Sequence, residues 1–228
     1  EDVTILLDMG ADSFFAQNTG EVGSYTYSPE GPETPVEADS YPEWVSGLLS
    51  KHDYISCVVD ACASEDFETW RKLRQLIGSD NKVTLLGDDL FKNDFDQIRA
   101  GVAEGWAAGA ILRADALGTL TNITDAATLF TCLRPTASRI IFHHREGLKT
   151  GATDADLAVG LGAWGLVCGA PGPTTFAKMN RLIEIEEELA ALTSSNTVEV
   201  QTWEAVYEVE AQAVEAAAAA AEAAASGP

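Results

Sequence analysis

Basic residues are scarce: 14 Lys and Arg stand against 36 Asp and Glu, a formal net charge of −22. So acidic a chain argues against a nucleic-acid partner, whose phosphates must be neutralised by lysine and arginine, and gives no support for an anionic membrane surface. The excess is read as solubility and self-repulsion. Long apolar runs are also missing. None approaches the ~20 residues needed to cross a bilayer, and no signal-peptide pattern opens the chain, so no membrane is expected. Cysteine is sparse, with Cys57, Cys62, Cys132 and Cys168 set singly in apolar stretches. They have neither the paired spacing of a zinc site nor the density of a disulfide scaffold, and read as reduced core residues of a cytosolic-type compartment. The sequence opens on Glu1 rather than Met, and is expected to be a piece of a longer protein.

What is present alternates. Short apolar strings occur at "VTILLD", "YISCVVD", "KVTLLGD", "AGAILRA", "RIIFHH" and "WGLVCGA". Each is nearly continuous, as in a strand buried on both faces. Between them lie stretches with helical spacing, among them "EDFETWRKLRQLIG", "NDFDQIRAGVAEG" and "TTFAKMNRLIEIEEELAAL". Six strands alternating with six helices predict a parallel α/β sheet, doubly wound or closed as a barrel. The 228 residues, 46% of them hydrophobic, suffice for one core and an appendage. One long irregular piece, "AQNTGEVGSYTYSPEGPETPVEADS", follows the first strand. A loop of that length is more often functional or a lid than a connector.

The strand ends carry the chemistry. The first ends in Asp8, the second in Asp60, the third in Asp88, the fourth in Arg113, and the fifth in His143, His144 and Arg145. In a parallel barrel the carboxyl ends of the strands form the face where sites are built. Carboxylates beside an arginine and a histidine suggest a hard-cation site next to an anion site, as used to stabilise an enolate or hold a phosphorylated acid. For any one of these residues, capping a helix or pairing with a neighbour is the simpler account. For the set, the site reading is stronger.

The segments "LLGDDLF", "LGTLTNITDA", "HHREG", "ADLAVGLG" and "KMNRLIEIEEEL" resemble the carboxyl-terminal barrel of enolase, in that order and at nearly the family's spacings, from about Val3 to Leu189. The resemblance implies a partial enolase-type TIM barrel of six βα units. The family's amino-terminal capping domain and first two strands have no counterpart here. It also implies an ancestral activity: magnesium-dependent dehydration of 2-phosphoglycerate to phosphoenolpyruvate, with a lysine base.

Carried over residue by residue, the family's site is depleted. Two magnesium positions fall on Asp8 and Asp88, but the third falls on Val59, with Asp60 on the aspartate that follows it. Because successive strand residues point to opposite faces, Asp60 cannot stand in for a carboxylate lost at Val59. Two carboxylates should hold magnesium weakly if at all, and no cofactor is expected. The base position is Arg113, whose guanidinium stays protonated near neutral pH and cannot take a proton. His144 and Arg145 match the substrate clamp, but the serine after them is Glu146, a negative charge where a phosphate should sit. The second site lysine falls on Val167. Arg113 reaching toward Asp8 or Asp88 would neutralise carboxylates that have lost their metal.

Residues 1–190 therefore read as the barrel portion, and residues 191–228 as a linker and an Ala/Glu-rich helix with Trp203, Tyr207 and Val214 on one stripe. Such a tail resembles that of divergent enolases associated with sperm flagella. Two functions are expected from these residues. The preferred one is a catalytically inactive enolase-like domain serving as a structural or docking part of a larger assembly, in the cytoplasm and specifically the ciliary axoneme, with other proteins as partners. The alternative is a working or altered magnesium-dependent enolase, completed by an upstream segment or a second copy.

Overall fold

The computed structural model describes residues 3–16, 23–26, 35–78, 83–133, 138–144 and 151–194. The tail stripe of Trp203, Tyr207 and Val214 lies outside them. In chain order the elements begin with β1 (Ile5–Asp8), a 3₁₀ turn (Ala11–Phe14), and the short strands β2 (Phe15–Ala16), β3 (Ser24–Tyr25) and β4 (Val36–Glu37). There follow α1 (Tyr41–Leu49), β5 (Ile55–Val59), α2 (Phe67–Gly78), β6 (Thr84–Gly87), α3 (Phe95–Glu104) and β7 (Gly109–Leu112). The remainder comprises α4 (Ala114–Leu117), α5 (Leu120–Leu133), β8 (Ser138–Phe142), α6 (Thr153–Gly160), β9 (Ala163–Leu166) and α7 (Pro173–Ser194).

The six apolar strings become one all-parallel sheet in the order β1-β5-β6-β7-β8-β9. This is the alternating α/β half-barrel that six βα units predict. Each strand carries two apolar faces. One, with Val58, Leu85, Leu112 and Phe142, packs under the helices against Trp70, Leu73, Ile98 and Phe130. The other is a smaller cluster of Cys57, Val59, Leu86, Ile111 and Ile141, with Trp164 and Val167 packed against it. Because residues of one parity share a face, this second cluster marks the inner wall of the barrel. Gly109 lets the wall close between β7 and β8: a Cβ there would lie 1.7 Å from the Arg139 carbonyl oxygen.

Local signals fix several boundaries. Asp94 caps α3 by accepting the Gln97 N–H at 2.9 Å, and Gly105 ends that helix in a left-handed conformation. In α2 the buried Trp70 donates its indole N–H to the Ala63 carbonyl at 2.9 Å, tying the helix to the turn before it.

Three expectations need correction. The first strand does not read as buried on both faces, since Ile5 is 51% and Leu6 41% exposed. Among the described residues β1 pairs with β5 alone, and an edge strand leaves apolar side chains without cover. The long irregular piece contains order: β2, β3 and β4 form an antiparallel sheet. It is anchored by Tyr25, fully buried, stacked on Tyr41 at 3.7 Å and donating its hydroxyl to Asp66 at 2.8 Å. Of the cysteines, Cys57 and Cys62 are buried free thiols, but Cys168, in the loop after β9, is only half-buried.

Six βα units do not close an eight-stranded barrel, and β1 and β9 form the two edges of the described sheet. Residues 1–190 expressed alone are predicted to aggregate or melt without cooperativity. Size-exclusion chromatography with thermal unfolding checks this, and a monodisperse, cooperatively melting product would contradict it.

Candidate functional site

The carboxyl ends of β5 and β6 are joined through one side chain, Asp60. It follows β5 in a left-handed conformation, with φ of 45°, which aspartate tolerates better than most residues. That turn sends the carboxylate sideways to the next strand. Its oxygens accept the backbone N–H groups of Asp88 at 2.9 Å, Asp89 at 2.9 Å and Leu90 at 3.4 Å. Its own N–H donates to the Leu86 carbonyl at 3.1 Å, and its carbonyl accepts from Ala11 at 3.1 Å. Asp60 is 4% exposed. Burial pushes its carboxyl up from 3.8 to about 6, against the opposing pull of the Asp89 and Asp88 amides.

The turn so fixed presents Asp88 inward, on the parity of Leu86. Asp88 receives the Arg113 guanidinium in a close ion pair, both side chains being mostly buried. Burial pushes the Asp88 carboxyl up, and Arg113 beside it pulls it down. Asn93 ties the pair together: its side-chain oxygen accepts the Arg113 backbone N–H at 2.7 Å, and its amide approaches Asp88 Oδ1 at 3.4 Å. Asp8, at the end of β1, is exposed and accepts the Gly10 N–H at 3.1 Å. Opposite it in the register stands Val59, fully buried on the inner wall. Asp60 points elsewhere, so the two adjacent residues do different work.

This donor set does not fit a magnesium ion. A hard dication takes about six oxygen ligands, whereas Asp88 is engaged by a guanidinium and Val59 contributes no oxygen. Among the described residues no group of three or more His, Cys, Asp or Glu side chains comes together to hold a metal.

The histidines make their own contacts. His144 meets the helix layer: its Nδ1 is 2.8 Å from Nζ of Lys178 on α7. The His143 ring stacks alongside His144, with centroids 5.4 Å apart. Val167 packs on the inner cluster with its side chain, and its carbonyl lies 3.5 Å from Lys178 Nζ. Arg145 and Glu146 lie outside the described residues. Sequence reasoning overlooked Lys178 and Asp154, whose Oδ2 is 2.8 Å from Nζ. The available signal was periodicity: Lys178 occupies the buried stripe of Thr175, Leu182, Ile185 and Leu189, where an apolar residue is expected. A cavity of about 450 Å³, lined by Ser50, His52, Asp53 and Val83 among others, opens at the opposite ends of β5 and β6 and takes no part in this site.

The Asp60 clamp generates a stability prediction. Asp60→Asn replaces one acceptor oxygen by an amide donor facing an N–H, and is expected to cost about 1–3 kcal/mol. The pH dependence has a definite sign. The folded value of about 6 lies above the ordinary 3.8, so this carboxyl's contribution is complete below the lower value and is lost as pH rises through the higher. The difference between wild type and variant in urea unfolding should therefore be larger near pH 5 than near pH 7.

Comparison with known families agrees with the architecture: the family model described as enolase, C-terminal TIM barrel domain, matches residues 1–203. With a six-stranded parallel half-barrel, strand-end polar residues and a match over most of its length, the chain belongs to the enolase family through that barrel domain.

Proposed function

We propose that this chain is a catalytically inactive enolase-type barrel that serves as a structural or docking component of a larger protein assembly. The observation that carries the reading is the Arg113–Asp88 pair. At the position where the family's resemblance puts a lysine base, a permanently protonated guanidinium lies against a carboxylate that the resemblance assigns to magnesium. A proton-abstracting group needs a free lone pair near neutral pH, and Arg113 has none to offer. Val59, at the third metal position, removes a further oxygen ligand. His144 is engaged by Lys178 through its Nδ1.

A docking role is supported by uncovered apolar surface. Phe176 (56%), Met179 (48%) and Ile183 (54%) form a stripe at helical spacing along α7, and the edge strand β1 exposes Ile5 and Leu6. No helix among the described residues is long and apolar enough to cross a membrane. For the assembly we propose the ciliary axoneme, in a cytoplasmic setting and with other proteins as partners. What supports that choice is the Ala/Glu-rich segment after residue 190, which resembles the tail of divergent flagellar enolases. We divide the chain accordingly, into a barrel portion over residues 1–190 and, over 191–228, a linker and an Ala/Glu-rich segment whose composition favours a helix.

The test is a coupled assay for phosphoenolpyruvate formation from 2-phosphoglycerate, on the chain with its natural upstream region, across a range of magnesium concentrations. No rate above background is expected. Turnover within the ordinary enzyme range of roughly 1–1,000 per second would overturn the proposal.

A further inference from the structure

Among the described residues Lys178 is the only lysine or arginine with a fully buried side chain, and its surroundings say what it does. Three groups meet at its ammonium: Asp154 Oδ2 at 2.8 Å, His144 Nδ1 at 2.8 Å, and the Val167 carbonyl at 3.5 Å. Asp154 is itself buried, with 7% of its side chain exposed, at the first turn of α6. A buried carboxylate this close keeps the lysine charged, because neutralising either partner alone would strand the other's charge in the interior. The three groups come from α6, the end of β8 and the end of β9, and α7 brings the lysine to them.

An ammonium has three N–H donors and no lone pair. His144 Nδ1, at hydrogen-bond distance from it, must therefore be the acceptor. A second proton on Nδ1 would set an imidazolium N–H against a cation at 2.8 Å, with both groups reaching for the same space. We infer that Lys178, held charged by Asp154, is a positioning residue that fixes His144 as the neutral imidazole bearing its proton on Nε2.

This goes beyond the inactive-barrel reading and does not depend on it. The tautomer decides what the strand-end histidine can do: its far nitrogen carries a hydrogen, so it offers one donor to an oxygen acceptor, such as a carboxylate, phosphate or hydroxyl of a bound molecule, and cannot accept a proton there. The half of the site at β8 and β9 is thus a preset donor locked from behind by a buried ion pair. It persists although the half at β5–β7 has been converted to a salt bridge.

The chain has three histidines, His52, His143 and His144, so ring nitrogens are resolvable by long-range ¹⁵N–¹H correlation on histidine-labelled full-length protein. His144→Gln supplies the assignment. Measured where the rings are neutral, wild-type His144 should show a pyrrole-type Nε2 and a pyridine-type Nδ1 shifted upfield by its hydrogen bond. Lys178→Met should erase that upfield shift and let the ring exchange between tautomers, while the signals of His52 keep their positions. A proton on Nδ1 in the wild type, or a His144 signal unchanged by Lys178→Met, would overturn the inference. Should Lys178→Met fail to fold, the wild-type tautomer alone decides.

Discussion

A single carboxylate, that of Asp60, sets the geometry at the mouth of this half-barrel. Its backbone turns left-handed as β5 ends, which takes the side chain out of the strand's alternation and lays it along the start of the next turn. There it gathers three successive amides, from Asp88 to Leu90, that would otherwise point into a buried space without acceptors. Once those amides are fixed, Asp88 has one direction in which to project. Arg113 and Asn93, arriving from the neighbouring strand and turn, close around it. Position here follows from satisfying backbone donors, and the charge arrangement follows from position.

The electrostatic consequence is a pocket neutralised from within. A largely buried carboxylate needs a counter-charge, and the Arg113 guanidinium supplies it to Asp88. Val59, buried on the inner wall opposite Asp8 in the register, offers an apolar side chain there. A second pair, Lys178 with Asp154, is buried and meets His144. The two pairs rest on different elements, Asp88 and Arg113 at the ends of β6 and β7, Lys178 and Asp154 on α7 and α6.

Much of the fold was legible because the parallel strands are long enough to read as apolar strings and their ends are charged. The edge character of β1 was harder: the run from Val3 to Asp8 looks like its buried counterparts, and only the absence of a second neighbour among the described residues exposes it. The small sheet around Tyr25 was invisible because its strands are two residues each, below any periodic signal. The same shortness hid α4, a single turn between Arg113 and Gly118. The strand-end residues Asp60, Asp88, Arg113 and His144 stand out in the sequence itself. Lys178 and Asp154 do not, because both sit on helices, and a lysine inside an apolar stripe reads as a snorkelling surface residue until its ammonium is seen to be enclosed.

Whether Arg113 and Asp88 stabilise one another without a bound ion is measured most directly by a double-mutant cycle with Arg113→Met and Asp88→Asn, read by urea unfolding of the full-length protein with and without magnesium. A coupling of about 1–3 kcal/mol that magnesium leaves unchanged is the predicted result. A coupling near zero, or a wild type that magnesium stabilises, would contradict it.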